Sequence, residues 1–259
     1  MIDRGRGTPI VVVQALPGRW EFTRELVREL SRGARVVTYS LCGELGSGRR
    51  LGVPAAMQDY VAQLRDVMDA AGLESAALCG ISFGGAVAAR FAAEYPERVT
   101  RLVIVSTPGP GWKPTAVQAG HAARPWLSLP AFAVGALTRT APEIVSALAT
   151  WRARLWFVVR YAVLALRYPA LPHLMAGRVR LLETLDLAAD CARIAAPTLV
   201  VTGEPRLDRV VPVDSTRRYA ELIRGARYVM VDRTGHQGVL TQPRRFAALV
   251  NEFIHANHS

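Results

Sequence analysis

Lys113 is the only lysine in the 259-residue chain, so all but one of its 32 basic side chains are arginine. Against 21 acidic residues they leave a net charge of +11. Such an excess suits an anionic partner. The arginines, however, come singly or in pairs (Arg49-Arg50, Arg217-Arg218, Arg244-Arg245), without a basic arm or an RNA-binding motif. A shortage of lysine beside abundant arginine is the bias that base composition imposes. Nucleic acid is therefore not an expected partner, and weak, salt-sensitive adhesion to anionic surfaces is what the charge leaves open. The three cysteines, Cys42, Cys79 and Cys191, show no paired spacing, which excludes a disulfide framework and the usual zinc modules. The histidines (His121, His173, His236, His255 and His258) are scattered. No metal and no cofactor is expected. Long apolar runs are missing too: the greasiest segment, Leu155–Leu166, is broken by Arg160 and flanked by Arg154 and Arg167, so no transmembrane span is expected. The polar Met1–Thr8 leads directly into a strand-like run, unlike a secretory leader, and a cytoplasmic location is expected.

With 51% hydrophobic residues, the chain can bury one full core. Short apolar runs at Ile10–Val13, Val36–Tyr39, Ala76–Cys79, Leu102–Val105, Thr198–Val201 and Tyr228–Val231 alternate with helix-length segments. That rhythm predicts an α/β fold, a mostly parallel sheet of about six strands covered by helices on both faces. The helices fall near Glu21–Arg32, Pro54–Ala71, Gly85–Tyr95, Val213–Ile223 and Thr241–His255. Pro54 suits a first helical turn and Gly72 a C-terminal cap. An opening antiparallel hairpin is not expected, because the first strand is reached within a few residues. The interval 109–190 breaks the rhythm with Ala, Leu, Arg and aromatic residues at helical spacing. It reads as a helical insertion, leaving 1–108 and 191–259 as the core. Within it, Trp151–Tyr168 has an alternative reading as a basic amphipathic helix lying on a membrane surface.

The chemistry centres on Gly80-Ile81-Ser82-Phe83-Gly84, a G-x-S-x-G pentapeptide between a strand-like run and a helical stretch. A serine hydroxyl becomes a nucleophile when a tight strand-to-helix turn exposes it beside a base, and the helix that follows aims its first amides at a developing oxyanion. Far downstream, Thr234-Gly235-His236-Gln237-Gly238 lies between a strand-like run and the last amphipathic stretch, which makes His236 the candidate base. Asp208 follows the strand Pro197–Gly203 and is the candidate acid, ahead of Glu204, with Asp232 and Asp214 behind. The Ser, Asp, His order differs from that of the two protease families that use the same trio.

On these residues the whole chain resembles the α/β-hydrolase superfamily, in its serine hydrolase branch with a helical cap. The resemblance implies that the loop after the first core strand supplies an oxyanion donor, here the Leu16 amide paired with that of Phe83. The His-Gly pair common at this loop is replaced by Gln14-Ala15. The acid loop, commonly G-x-x-D-x-x-x-P, reads Gly203 to Pro212 with two extra residues before Asp208. Some members place the acid after an earlier strand, but Ser106-Thr107-Pro108 offers no carboxylate there. Residues 109–190 take the place of the cap that shapes the substrate tunnel. Trp20, Trp112, Trp126 and Trp156 are candidate pocket residues against a reading in which most of them simply bind cap to core. The implied reaction is hydrolysis of a small to medium apolar carboxyl ester through an acyl-enzyme. Lactone, thioester or carbon–carbon bond hydrolysis and cofactor-free perhydrolysis run on the same trio. A hydrolase-like receptor or scaffold with little turnover is the alternative of another class.

Overall fold

Seven strands form one sheet in a computed structural model that describes residues 1–256. The strands are β1 (Ile2–Arg4), β2 (Pro9–Val13), β3 (Arg35–Thr38), β4 (Ala76–Ile81), β5 (Val99–Val105), β6 (Thr198–Thr202) and β7 (Arg227–Met230), in spatial order β1-β3-β2-β4-β5-β6-β7. All pairings from β3 to β7 are parallel. The six expected strands are present. The seventh, β1, corrects the sequence reading: it pairs antiparallel with β3, Ile2 opposite Thr38 and Arg4 opposite Val36. Three residues with two exposed polar side chains carry no strand periodicity of their own. What holds them is non-local, the ladder and the Arg35–Asp3 ion pair at 2.7 Å.

Side chains alternate across a strand, and each core strand feeds two apolar layers. Val11, Val13, Val37, Leu78, Leu102, Ile104 and Val200 join one cluster, packed under α2 (Met57–Ala70) and α3 (Phe83–Glu94). Ile10, Val12, Val36, Cys79, Val103, Val105 and Val201 join the other, under α1 (Arg24–Leu30) and the last long helix, Pro243–His255. Burial on both faces is why these strands read as continuous apolar runs rather than alternating ones. Cys42, Cys79 and Cys191 are buried free thiols, each raised to about 12 by burial. His258 lies outside the described residues.

The helix expected from Pro54 begins instead at Met57. The Asp59 carboxylate caps it by accepting the Ala56 amide at 2.9 Å, so the first turn is fixed by the carboxylate and not by the proline. Gly72 takes a positive φ of 66° just past the helix end, as a C-terminal cap requires.

Between β5 and β6 the chain runs through α4 (Ala116–Ala123), α5 (Leu129–Ala147), α6 (Trp151–Arg167), α7 (Pro172–Thr184) and α8 (Leu187–Arg193). Then follow α9 (Val213–Leu222), α10 (Gly238–Thr241) and α11 (Pro243–His255). The helix α8 straddles position 190/191 and packs on α3, where Asp190 receives the Arg90 guanidinium at 2.7 Å. Among the described residues no helix is long and apolar enough to cross a membrane.

The chain goes from β2 out to β3 and then returns to β4 on the other side of β2. The sheet therefore reverses its winding between β2 and β4. In open α/β sheets, a crevice forms at the C-terminal strand ends where the winding reverses. Val13 at the end of β2 pairs with Gly80 of β4, which sets the loop beginning at Gln14 beside the turn at Ser82.

Candidate active site

Ser82 links β4 to α3 with φ 51° and ψ −120°, a left-handed conformation that costs a residue bearing Cβ. The surrounding packing forces it. A Cβ on Gly84 would strike the carbonyl oxygens of Val13 and Gln14, so α3 can start this close to β2 only with glycine there. Replacing Gly84 by Ala should destabilise the fold by about 1–3 kcal/mol, read as a lowered urea midpoint. The Ser82 amide donates to Val105 O at 2.8 Å, which ties the turn to β5.

His236 follows β7 in the loop Arg233–Gln237. Its Nε2 lies 3.2 Å from Ser82 Oγ and its Nδ1 lies 3.2 Å from Asp208 Oδ2. The other Asp208 oxygen accepts the amides of Val210 at 3.0 Å and Val211 at 2.9 Å. These two bonds fix the carboxylate's rotamer and leave Oδ2 aimed at the ring. Burial by itself raises the Asp208 carboxyl, but the facing His236 and the two amides outweigh it and hold it below the ordinary aspartate value. For His236, burial lowers the imidazole while Asp208 and Glu143 raise it, and the net direction is up. The other carboxylate of this region, Glu204, faces away from the histidine. It accepts the Arg206 guanidinium at 2.5 Å and the Arg233 amide at 2.6 Å, which hold its pKa below the ordinary value.

The loop after β2 is anchored by the residue that departs from the common pattern. Buried Gln14 donates to Thr38 Oγ1 at 2.6 Å and accepts from Thr23 Oγ1 at 2.8 Å, while Gly18 N–H closes a turn onto Ala15 O at 2.8 Å. Among the described residues neither the Leu16 nor the Phe83 amide donates to a protein acceptor.

Two buried ionic groups escaped the sequence reading. Arg178 of α7 is fully buried and paired with equally buried Glu44 at 2.7 Å. It also donates to Leu16 O at 2.8 Å, Cys42 O at 3.4 Å and the Tyr60 hydroxyl at 3.3 Å. The second is Glu143 of α5, 1% exposed. It accepts the Gln237 amide at 2.8 Å and Thr241 Oγ1 at 3.1 Å, so it ties down the chain immediately after the histidine. Arg233 and Gln242 donate to the carbonyls of Ser146 and Ala147 at 2.6 Å. The last turn of α5 thus clasps the whole histidine loop. Burial raises the Glu143 carboxyl, and its hydrogen bonds and His236 oppose that rise.

The four candidate pocket tryptophans are dispersed. Trp20 is half-buried beneath the Arg24 guanidinium, and Trp112 packs against the core layer under α2 and α3 and lines a cleft with Asp214 and Arg218. Trp126 is 59% exposed and stacks on His173, and Trp156 is 67% exposed on the outer side of α6. Among the described residues no group of three His, Cys, Asp or Glu is arranged to hold a metal ion.

A sequence profile described as the alpha/beta hydrolase fold matches residues 8–243. The chain belongs to the α/β-hydrolase family. Among its relatives, a 2-hydroxy-6-oxo-2,4-heptadienoate hydrolase of Pseudomonas putida is 30% identical, with 98% of this chain and 91% of that protein aligned. A 2-hydroxymuconate semialdehyde hydrolase of a Pseudomonas species is 29% identical across 97% and 88%. Among solved structures, the enol-lactonase of Burkholderia xenovorans superposes with a TM-score of 0.81 at 22% identity, covering 98% and 95% of the two chains. These relatives are named as hydrolases, and the enol-lactonase shares the arrangement of sheet and helices across almost the whole length.

Proposed function

We propose that this α/β hydrolase is a serine hydrolase that acts on a small to medium apolar carboxyl ester through an acyl-enzyme. The observation that carries the reading is the relay Asp208–His236–Ser82, each link at 3.2 Å and each residue at the C-terminal end of a different strand. His236, held in one tautomer by Asp208, takes the Ser82 proton as Oγ attacks the carbonyl carbon. The Leu16 and Phe83 amides hold the oxyanion, and His236 returns the proton to the leaving alcohol. Water, deprotonated by the same imidazole, then releases the acid. In this reading residues 109–190 are a cap: Arg178 reaches the loop after β2 and Glu143 reaches the histidine loop, so the helices stand over the C-terminal sheet edge.

A second reading, hydrolysis of a carbon–carbon bond in an oxo-dienoate, is favoured by the names of the two Pseudomonas relatives. Against it stands the neutralisation of Arg178 by Glu44, which leaves that cation without a free charge for a substrate carboxylate. A panel of 4-nitrophenyl esters from acetate to decanoate, run beside a 2-hydroxy-6-oxo-dienoate, separates the two. Turnover of short and medium esters without cleavage of the dienoate supports the first reading. Dienoate cleavage far above ester turnover replaces it with the second.

The raised His236 has a direct consequence. A base must be neutral, so kcat/KM falls on the acid side through a pKa above the ordinary histidine value of 6.5. The groups facing the imidazole are Asp208, Glu143 and the Ser82 hydroxyl; nearby Arg233 is turned to the Ser146 carbonyl. Replacing Glu143 by Gln removes one negative charge, which moves that acid limb to lower pH. It also loosens the histidine turn and lowers kcat by about tenfold. A pH–rate profile reads both effects, and an unshifted limb would show that Glu143 acts on the fold alone.

A further inference from the structure

The outer face of α6 is built the wrong way round for a helix on a protein surface. None of its seventeen residues is buried. Its inner side docks on the start of α1 and the turn before it, with Arg160 on Glu25 at 2.6 Å and the Tyr161 hydroxyl donating to Phe22 O at 3.3 Å. The opposite side carries Trp151, Leu155, Trp156, Val159, Val163 and Leu166, all between 44% and 84% exposed. At 100° per residue these six fall within one broad stripe. Arg152 lies inside the stripe and Arg167 at its edge, both exposed and without an ion-pair partner among the described residues. From Gly109 to Leu182 the chain has eight arginines and one lysine but a single acid, Glu143, which is buried in its clasp on the histidine loop. Arg160 and Arg178 are paired with Glu25 and Glu44, but α6 itself has no acid, so Arg152 and Arg167 leave its outer face positively charged.

We infer that the outer face of α6 docks on an anionic phospholipid bilayer, with the helix lying in the plane of the interface. Charge complementarity selects this occupant. A second copy related by a two-fold axis would set this basic face against itself, with no acid on α6 to offset Arg152 and Arg167. A bilayer with anionic headgroups supplies the opposite charge, while the aliphatic side chains enter the acyl boundary. Trp151 and Trp156 match the headgroup level, and the arginine stems extend their charge outward to phosphate. The helix is too basic and too short in apolar run to do more than lie on the surface.

The test is flotation of the full chain with phosphatidylcholine vesicles, with and without phosphatidylglycerol, at about 0.05 M and about 0.5 M salt, between which screening rises severalfold. Tryptophan emission gives a second readout. Binding is expected only with phosphatidylglycerol and low salt, with a blue shift of the emission. The triple variant Leu155→Gln/Val159→Gln/Val163→Gln and the double variant Arg152→Gln/Arg167→Gln should each weaken partitioning by about tenfold. Arg4→Gln/Arg6→Gln, which removes the same charge from the N-terminal segment, should change it less than about twofold. All of these side chains are exposed or half-exposed, and unchanged thermal melts certify the folds. The proposal is overturned if the protein does not float, or if the triple variant floats like the wild type. Equal weakening by the Arg4/Arg6 pair would likewise overturn it, since net charge alone would then be binding. So would a concentration-dependent dimer in analytical ultracentrifugation that the triple variant abolishes, because the face would then be a contact between copies.

Discussion

Turnover of a short-chain ester falls by at least about 10⁴-fold when Ser82 is replaced by Ala, while the protein stays folded. Both halves of that expectation come from the turn. Ala keeps the Cβ that Ser82 already carries at φ 51°, so the strain of the turn is unchanged, and the amide bond to Val105 O is retained. What is lost is the only hydroxyl that, among the described residues, lies within hydrogen-bond reach of His236 Nε2. The imidazole then has no proton to take, and the proposed oxyanion donors, the Leu16 and Phe83 amides, have no attacking oxygen to serve. Steady-state kinetics and a urea melt on the same preparation check the pair of results. More than about 1% residual activity in a variant with unchanged melting would place the nucleophile elsewhere.

Stability falls by about 3–5 kcal/mol when Arg178 is replaced by Met. The pair with Glu44 is fully buried on both sides, and among the described residues Glu44 Oε2 already lacks a hydrogen-bond partner. Removing the guanidinium leaves a buried carboxylate with no counter-charge, and it strips a donor from the carbonyls of Leu16 and Cys42. Burial already raises the Glu44 carboxyl against the pull of Arg178, so removing Arg178 pushes it further toward the protonated form. Combining Arg178→Met with Glu44→Leu should recover part of the loss, because an apolar pair carries no desolvation penalty. The two carbonyls stay unsatisfied, so recovery is incomplete. A double-mutant cycle by urea denaturation measures this. A single-variant cost below about 1 kcal/mol would contradict the account of the site.

The sequence made the sheet legible because burial on both faces writes each central strand as an apolar run, as at Val11–Val13 and Leu102–Val105. It made Ser82, His236 and Asp208 legible as candidates because each follows such a run at the strand's C-terminal end. β1 stayed hidden because its pairing with β3 is set by residues more than thirty positions away. Glu143 and Arg178 stayed hidden for a related reason. Charged residues in a helix of the 109–190 segment read as solvent-facing, and only the tertiary contacts with Gln237, Thr241, Glu44 and Leu16 bury them. One local signal existed for Glu143: it is the single acid in a long basic stretch and directly follows Pro142, inside the helix. Before Pro142 no residue of α5 is buried, whereas Glu143, Ile144 and Ala147 after it are. Aromatic content was the least informative feature, since Trp126 and Trp156 are mostly exposed.

The proposed Asp208–His236–Ser82 relay is tested most directly by treating the wild type and Ser82→Ala with a fluorophosphonate and recording intact masses, because phosphonylation needs an activated serine and no knowledge of the substrate. A single adduct on the wild type, mapped to Ser82 and missing from the variant, is the expected result. A folded wild type that takes no adduct, or an adduct that persists in Ser82→Ala, would contradict the relay and move the receptor reading of this fold to the front.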